Sequence, residues 1–304
     1  MLLAAEQLLN GLQLGVTLFL MSAGLTLVFG IMGVINLAHG SLYMIGAYVG
    51  ATVAARSGSF LLALVAAPLA AAAAGIVVEV LILRHLYRRE HLDQVLATFG
   101  LILFFNELTR IIWGRQPLFM NPPDWLAMSV ELVPGLPYPA FRLAVIAVGS
   151  LVALFLWWLF ARTRLGMHIR AGAANREMIG ALGVNITLLC TLVFGLGALL
   201  AGLAGVMAAP IMAVESGMGE NILILTFVVI VIGGIGSIRG AVVGALLVGM
   251  ADTLGRAFLP ALFRLLFATA TADAIAASLA SMLIYILMAA ILVCKPKGLL
   301  PAKV

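Results

Sequence analysis

Charge is the scarcest property of this 304-residue chain: only 10% of its residues are Asp, Glu, Lys or Arg, while 64% are hydrophobic. Soluble domains carry about a quarter charged residues, so a water-soluble enzyme is excluded and a polytopic membrane protein is indicated. Cysteine is almost missing. Cys190 and Cys294 each lie in or at the end of an apolar run, with no CxxC spacing or nearby His. A disulfide framework and a thiolate metal site are therefore unsupported, and two buried thiols are expected. No G-K-[ST] follows any glycine run, and no HExxH or Ser/Lys pairing occurs. The chain is thus expected to hold no nucleotide, no metal and no cofactor, and to be no intramembrane enzyme. No interspan segment is large enough for a soluble catalytic domain. The net charge of +5 does not argue for nucleic acid, because ten of the seventeen Lys and Arg residues fall in Arg84 to Arg89, Arg162 to Arg176, and Lys295 to Lys303. Such clustering between spans is an orientation signal.

What is abundant is apolar runs of membrane-crossing length, about 20 residues each. About nine are expected, within a range of eight to ten, roughly 8–30, 36–55, 60–83, 94–113, 141–161, 186–210, 221–238, 240–258 and 275–294. The first lacks a positive n-region and is too long for a signal-peptide core, so it is expected to be retained. The basic segments fall on one side of this count, and Asp124, Glu131, Glu215, Glu220 and Asp273 on the other. A cytoplasmic C-terminus and an external N-terminus follow, in a single all-α transmembrane domain over 1–304. The external segment 114–140, with six prolines and Trp125, reads as an ordered cap. The chain's 32 glycines include many at four-residue spacing, which lets helix backbones approach closely.

Polar residues inside the runs are the candidates for a path. In the second run Asn36, His39 and Ser41 cluster between Gly33 and Gly40; Asn36 and His39 share a helix face, and the glycines permit a broken helix whose freed backbone groups line a cavity. A hydrogen-bonded contact between helices is the plainer reading of the same residues. Asn106, Glu107 and Arg110, and the pair Asp252 and Arg256, sit near external ends and read as interfacial structure. Glu79 is placed to snorkel or to pair with Arg84. Gly233, Gly234, Gly236 and Gly240, around Ser237 and Arg239, mark a sharp turn or gating break between two spans.

The densest polar stretch is Arg162 to Gly183, with Arg162, Arg164, Arg170 and Arg176. Beyond Gly166, the residues Ala171, Ala174, Met178 and Ala181 recur at three- and four-residue steps, opposite charges that include Glu177. Gly183 supplies a helix stop. A short helix with a face of small side chains suits a groove on a cytoplasmic partner; a pure topology signal is the alternative.

Four segments together resemble the branched-chain amino acid ABC transporter permease family, the membrane subunits of importers served by a periplasmic binding protein. They are Phe29 to Gly40, Arg162 to Gly183, Gly233 to Ser237, and Lys295-Pro296-Lys297-Gly298-Leu299. The resemblance implies a bacterial inner-membrane subunit that moves branched-chain amino acids, or small polar solutes such as urea and amides, into the cytoplasm. It implies that the 162–183 loop contacts a separate ATPase, and that a second, related permease completes the pore. Membrane lipid is the remaining partner expected. Arg239 departs from the family pattern, where proline or another uncharged residue is expected. The competing class is an ion-coupled secondary transporter, which needs carboxylates facing the bundle interior.

Overall fold

Polar caps divide the apolar chain into helices. Ser59, Thr163, Asn175, Asn185 and Ser237 each accept a hydrogen bond from a backbone N–H three residues on, satisfying donors that a helix start leaves free. In the computed structural model, which describes residues 2–87, 89–265 and 267–301, the helices are α1 (Leu2–Met32), α2 (His39–Ser57), α3 (Phe60–Val78), α4 (Arg84–Leu86), α5 (His91–Trp113), α6 (Ala140–Arg162), α7 (Arg164–Ala174), α8 (Arg176–Ala181), α9 (Ile186–Ala208), α10 (Met218–Gly233), α11 (Ile238–Phe263) and α12 (Thr269–Cys294). A π-helical turn, Glu79–Leu83, joins α3 to α4 without a break. Arg88 and Lys303, both counted among the basic residues above, lie outside the described residues.

The protein is a polytopic helix bundle. Among the described residues seven helices are long and apolar enough to cross a membrane, and the expected second and seventh runs fall short. The second is α2, whose 19 residues are long enough but too rich in Gly, Ser, Tyr and His; the seventh is α10, of only 16 residues. The all-α expectation also misses a hairpin within 114–140, where β1 (Ser129–Val133) pairs antiparallel with β2 (Leu136–Pro139) around Gly135. Alternating prolines in β2 leave Leu136 and Tyr138 to point inward and be buried, a period-two pattern too short to stand out in the sequence.

Close backbone contact fixes the direction of the helices. α1 runs antiparallel to α11: Gly11 meets Met250, Gly15 meets Ala245 and Leu246, and Gly30 meets Gly236. α1 is the enclosed centre, packed by α11, α9, α6 and α10. The bundle thus has a hairpin end, holding the start of α1 and the segment 114–140, and a basic end, holding Arg84, Arg89, Arg162 to Arg176 and Lys295. The outer helices carry large exposed apolar side chains, such as Ile111 at 75%, Leu151 at 65% and Val293 at 85% exposed, a surface suited to acyl chains rather than water.

Candidate functional site

α1 stops at Met32, and Gly33 takes φ +62, a left-handed turn open to glycine. Residues 33–38 are non-helical and fold back along α1, so that His39, the first residue of α2, lies beside Gly24. That level is about 12 Å from the end of α1, eight residues at 1.5 Å each. Irregular backbone at such depth is tolerated only inside protein or against a cavity. Asn36 bridges part of it, its Oδ1 accepting the Ala38 N–H at 3.0 Å. Among the described residues, its Nδ2, both ring nitrogens of His39 and Thr26 Oγ1 of α1 are buried without a well-formed hydrogen bond, only the Met21 backbone standing within reach of the imidazole. Ser41 is buried next to them. Each unmet group costs about 1–3 kcal/mol, and such groups need a reason in a native structure.

A second helix starts at the same place. Gly219, in the first turn of α10, packs against Gly40 so closely that a Cβ on either residue would stand 2.2 Å from the other's carbonyl oxygen. α2 is clamped on its other side to α9, where Gly46 meets Gly202 and Gly205 meets the Tyr43 carbonyl. α5 leans on α2 through Trp113 Nε1, which donates to Thr52 Oγ1 at 2.7 Å, and through the Trp113 and Tyr48 rings at 5.0 Å. Asn106 of α5 donates to Glu220, one residue past Gly219. α2, α5 and α10 thereby converge at the break.

The basic end lies directly below. α10 and α11 turn through Gly234 (φ +106) and Gly236 (φ +80), and Gly233 and Gly240 meet at 2.2 Å from Cβ position to carbonyl oxygen. The terminal segment straps this turn: Leu299 and Leu300 donate their N–H groups to the Ile232 and Gly233 carbonyls at 2.9 and 3.0 Å. Sequence reading missed that role, although Gly298, with φ +83 and packed on Gly234, is the signal that carries it. Arg239 points outward from the first turn of α11 and leaves the turn undisturbed.

The 162–183 loop is two helices, not the single one its spacing indicates. Asn175, extended at φ −157, ends α7 and caps α8. Ala171 and Ala174 therefore sit on α7, Met178 and Ala181 on α8, and the three-and-four spacing does not run on across the break. All four are exposed, as are Arg162, Arg164, Arg170 and Glu177. The loop is anchored instead by Gly166, Ile169, Gly172 and Ile179, which are buried; a Cβ on Gly166 would meet the Leu159 carbonyl oxygen at 2.3 Å. Gly183 has φ +88 after α8. Arg176 is half-buried, and its guanidinium lies 3.8 Å from the Cβ position of Gly33, so α8 touches the turn that begins the break.

Glu79 is fully buried at the π turn. Arg84 Nη2 reaches its carboxylate at 3.1 Å, Tyr87 Oη donates to it at 2.7 Å and Thr191 Oγ1 of α9 at 2.8 Å. The other interior acid, Asp252, is paired with Arg256 at 2.9 Å. Glu107 pairs with Arg110 at 3.4 Å on an exposed face. Among the described residues no cluster of His, Cys, Asp or Glu could hold a metal ion. Cys190 is buried, but Cys294, the last residue of α12, is exposed, against the expectation of two buried thiols; both are free.

A family model described as the permease component of branched-chain amino acid transport systems matches residues 7–292. The chain is 32% identical over 262 residues to the high-affinity branched-chain amino acid transport system permease protein BraD of Pseudomonas aeruginosa, covering 82% of this chain and 85% of that one. It is 32% identical over 269 residues to the corresponding protein LivH of Salmonella typhimurium, with 84% and 86% covered. Over 257 residues it is 27% identical to the ribose import permease protein RbsC of Escherichia coli, with 80% and 76% covered. No solved structure matches it significantly.

Proposed function

Since the chain belongs to the family of branched-chain amino acid transport permease components, we propose that it is the membrane-spanning subunit of an ABC importer in the bacterial inner membrane. It passes branched-chain amino acids, or related small polar solutes, into the cytoplasm. A second, related permease, cytoplasmic ATPase subunits and a periplasmic binding protein complete the importer. The basic end is cytoplasmic by the distribution of Arg and Lys, so the C-terminus lies inside and the N-terminus outside. The 33–38 segment with α2, and α10 with the 209–217 loop before it, supply the two crossings that bring the count to nine.

One observation supports this reading most: buried, unpartnered polar atoms on Asn36 and His39 beside an irregular stretch of backbone at mid-bundle. A permanent packing contact would satisfy those atoms. A path that alternates between closed and open supplies water or solute to them in its other state. Gly33 and Gly40 provide the bend, Ser41 continues the polar lining, and the Gly233 to Gly240 turn anchors α10, the helix that closes against α2. Exposed Ala171, Ala174, Met178 and Ala181, flanked by arginines, offer the contact to the ATPase. The secondary-transporter alternative lacks its main requirement, because Glu79 and Asp252 are each neutralised by an arginine. The test is single-cysteine labelling at 36, 39 and 41 in the assembled transporter. Reaction with small hydrophilic thiol reagents that changes with nucleotide state is expected; inaccessibility in every state returns these residues to packing.

A further inference from the structure

At the hairpin end, away from the break, a cavity of about 410 Å³ opens between α1, α6 and α11. Its walls are polar: Gln7, Asn10 and Gln13 on one face of α1, Arg142 near the start of α6, and Asp252 with Arg256 on α11. Polar lining here is unexpected, since further along the same helices Leu151 and Leu247 face outward as exposed apolar side chains. We propose that this cavity binds a phosphate group, the headgroup phosphate of a phospholipid in the leaflet at the hairpin end.

The charge balance carries the proposal. Asp252 is occupied by Arg256, whose Nε and Nη2 both reach it. Arg142 has no carboxylate partner: the four ion pairs among the described residues do not include it. Its Nη1 donates to Asn10 Oδ1, which also accepts from Tyr138 Oη at 3.1 Å, while Asn10 Nδ2 donates to Gln7 Oε1 at 3.3 Å. Asn10 Oδ1 is therefore committed to both donors and acts to aim the guanidinium, while the remaining N–H groups of Arg142 make no hydrogen bond among the described residues and are available to a ligand. Glu6 lies near Tyr138 without pairing with Arg142. The cavity holds two guanidinium groups against one carboxylate, a net positive site flanked by apolar surface. An unpaired cation there is costly unless an anion joins it, and a guanidinium fork matches the oxygens of a phosphate. The volume is in the range of small-ligand sites, and a bilayer supplies phosphate at this level without further partners.

Native mass spectrometry of the intact detergent-purified protein tests this with three added probes: a phosphatidylglycerol, a diacylglycerol with the same acyl chains, and inorganic phosphate. The wild type is expected to retain phosphatidylglycerol over diacylglycerol. Arg142→Gln is expected to lower that retention about tenfold or more, because a charge-assisted contact is lost; Arg142→Lys is expected to keep most of it. Arg110→Gln, an exposed arginine outside the cavity, should change nothing. Displacement of the lipid by inorganic phosphate, dependent on Arg142, would keep the phosphate site and make free phosphate its source. Equal retention of diacylglycerol by the wild type, or undiminished phosphatidylglycerol retention in Arg142→Gln, overturns the proposal. The wild-type lipid preference reads out independently of how any variant folds.

Discussion

Gly40 and Gly219 touch backbone to backbone, so the starts of α2 and α10 are closed on each other at a separation that admits no side chain on either. If solute passes between these helices, their separation is the opening event. A methyl group at either position must push the helices apart by more than half an ångström, since Cβ contacts under about 3 Å are not sustained. Gly219→Ala is expected to lower ligand uptake by tenfold or more, or to uncouple ATP hydrolysis from uptake, at matched membrane levels. Gly100→Ala on α5, where an added Cβ meets nothing within 4 Å, should leave uptake intact. Normal, coupled uptake in Gly219→Ala would remove this contact from the transport cycle.

The loop at the basic end separates two kinds of residue. Ala174 is exposed, so Ala174→Trp leaves the fold alone and enlarges only the surface offered to the ATPase; it is expected to abolish copurification of the ATPase and uptake while the permease still inserts. Gly166 is buried against α6, so Gly166→Leu should reduce the amount of inserted protein. Exposed arginines contribute about 0–1 kcal/mol each, and Arg170→Ala should weaken the ATPase contact only modestly. Membrane levels report Gly166→Leu directly, and pull-down at matched membrane levels checks Ala174→Trp and Arg170→Ala. Full ATPase retention by Ala174→Trp would reduce the loop to a topology signal.

Arg176 behaves differently from its neighbours, because its guanidinium lies beside Gly33 rather than out in solvent. Arg176→Ala is expected to spare ATPase binding yet lower the ratio of solute moved to ATP hydrolysed, by removing a contact of α8 with the start of the break. Proteoliposomes report both quantities together. A variant with the wild-type ratio would show that α8 acts through other contacts.

The network at Glu79 is a stability element. Arg84→Ala leaves a buried carboxylate short of its cation, which costs about 3 kcal/mol, the low end for broken buried pairs because the Arg84 side chain is 35% exposed. Thr191→Val removes one neutral donor to the same carboxylate and should cost about 1–2 kcal/mol. Thermal unfolding in detergent should rank wild type, Thr191→Val and Arg84→Ala in falling order. Equal midpoints for wild type and Arg84→Ala would mean that the pair contributes nothing net.

Much of the bundle was legible because its signals are local. Apolar run length located most of the helices, and Gly33 and Gly183 marked a break and a stop. The Asn36, His39 and Ser41 cluster stood out because polar residues are rare in such runs. What escaped depends on geometry that no fixed period captures. Pairing of Glu79 with Arg84 was one of the two outcomes expected, but the π turn that lets residues five apart meet, and the added donors Tyr87 and Thr191, were not. Asn175 could be read as a cap, yet the regular spacing on either side hid the break. The reciprocal approach of Gly40 and Gly219, and the strap of Leu299 and Leu300 over the α10 turn, join residues distant in sequence that no local pattern pairs. The hairpin at 129–139 is too brief to show a period at all.

The most direct measurement is uptake of a radiolabelled branched-chain amino acid by proteoliposomes holding this chain, its partner permease and the ATPase subunits, with ATP inside and binding protein outside. Accumulation that requires ATP and the ATPase subunits, and that ignores imposed proton or sodium gradients, is the expected result. Accumulation driven by an ion gradient in vesicles lacking the ATPase would contradict the assignment to an ATP-driven importer.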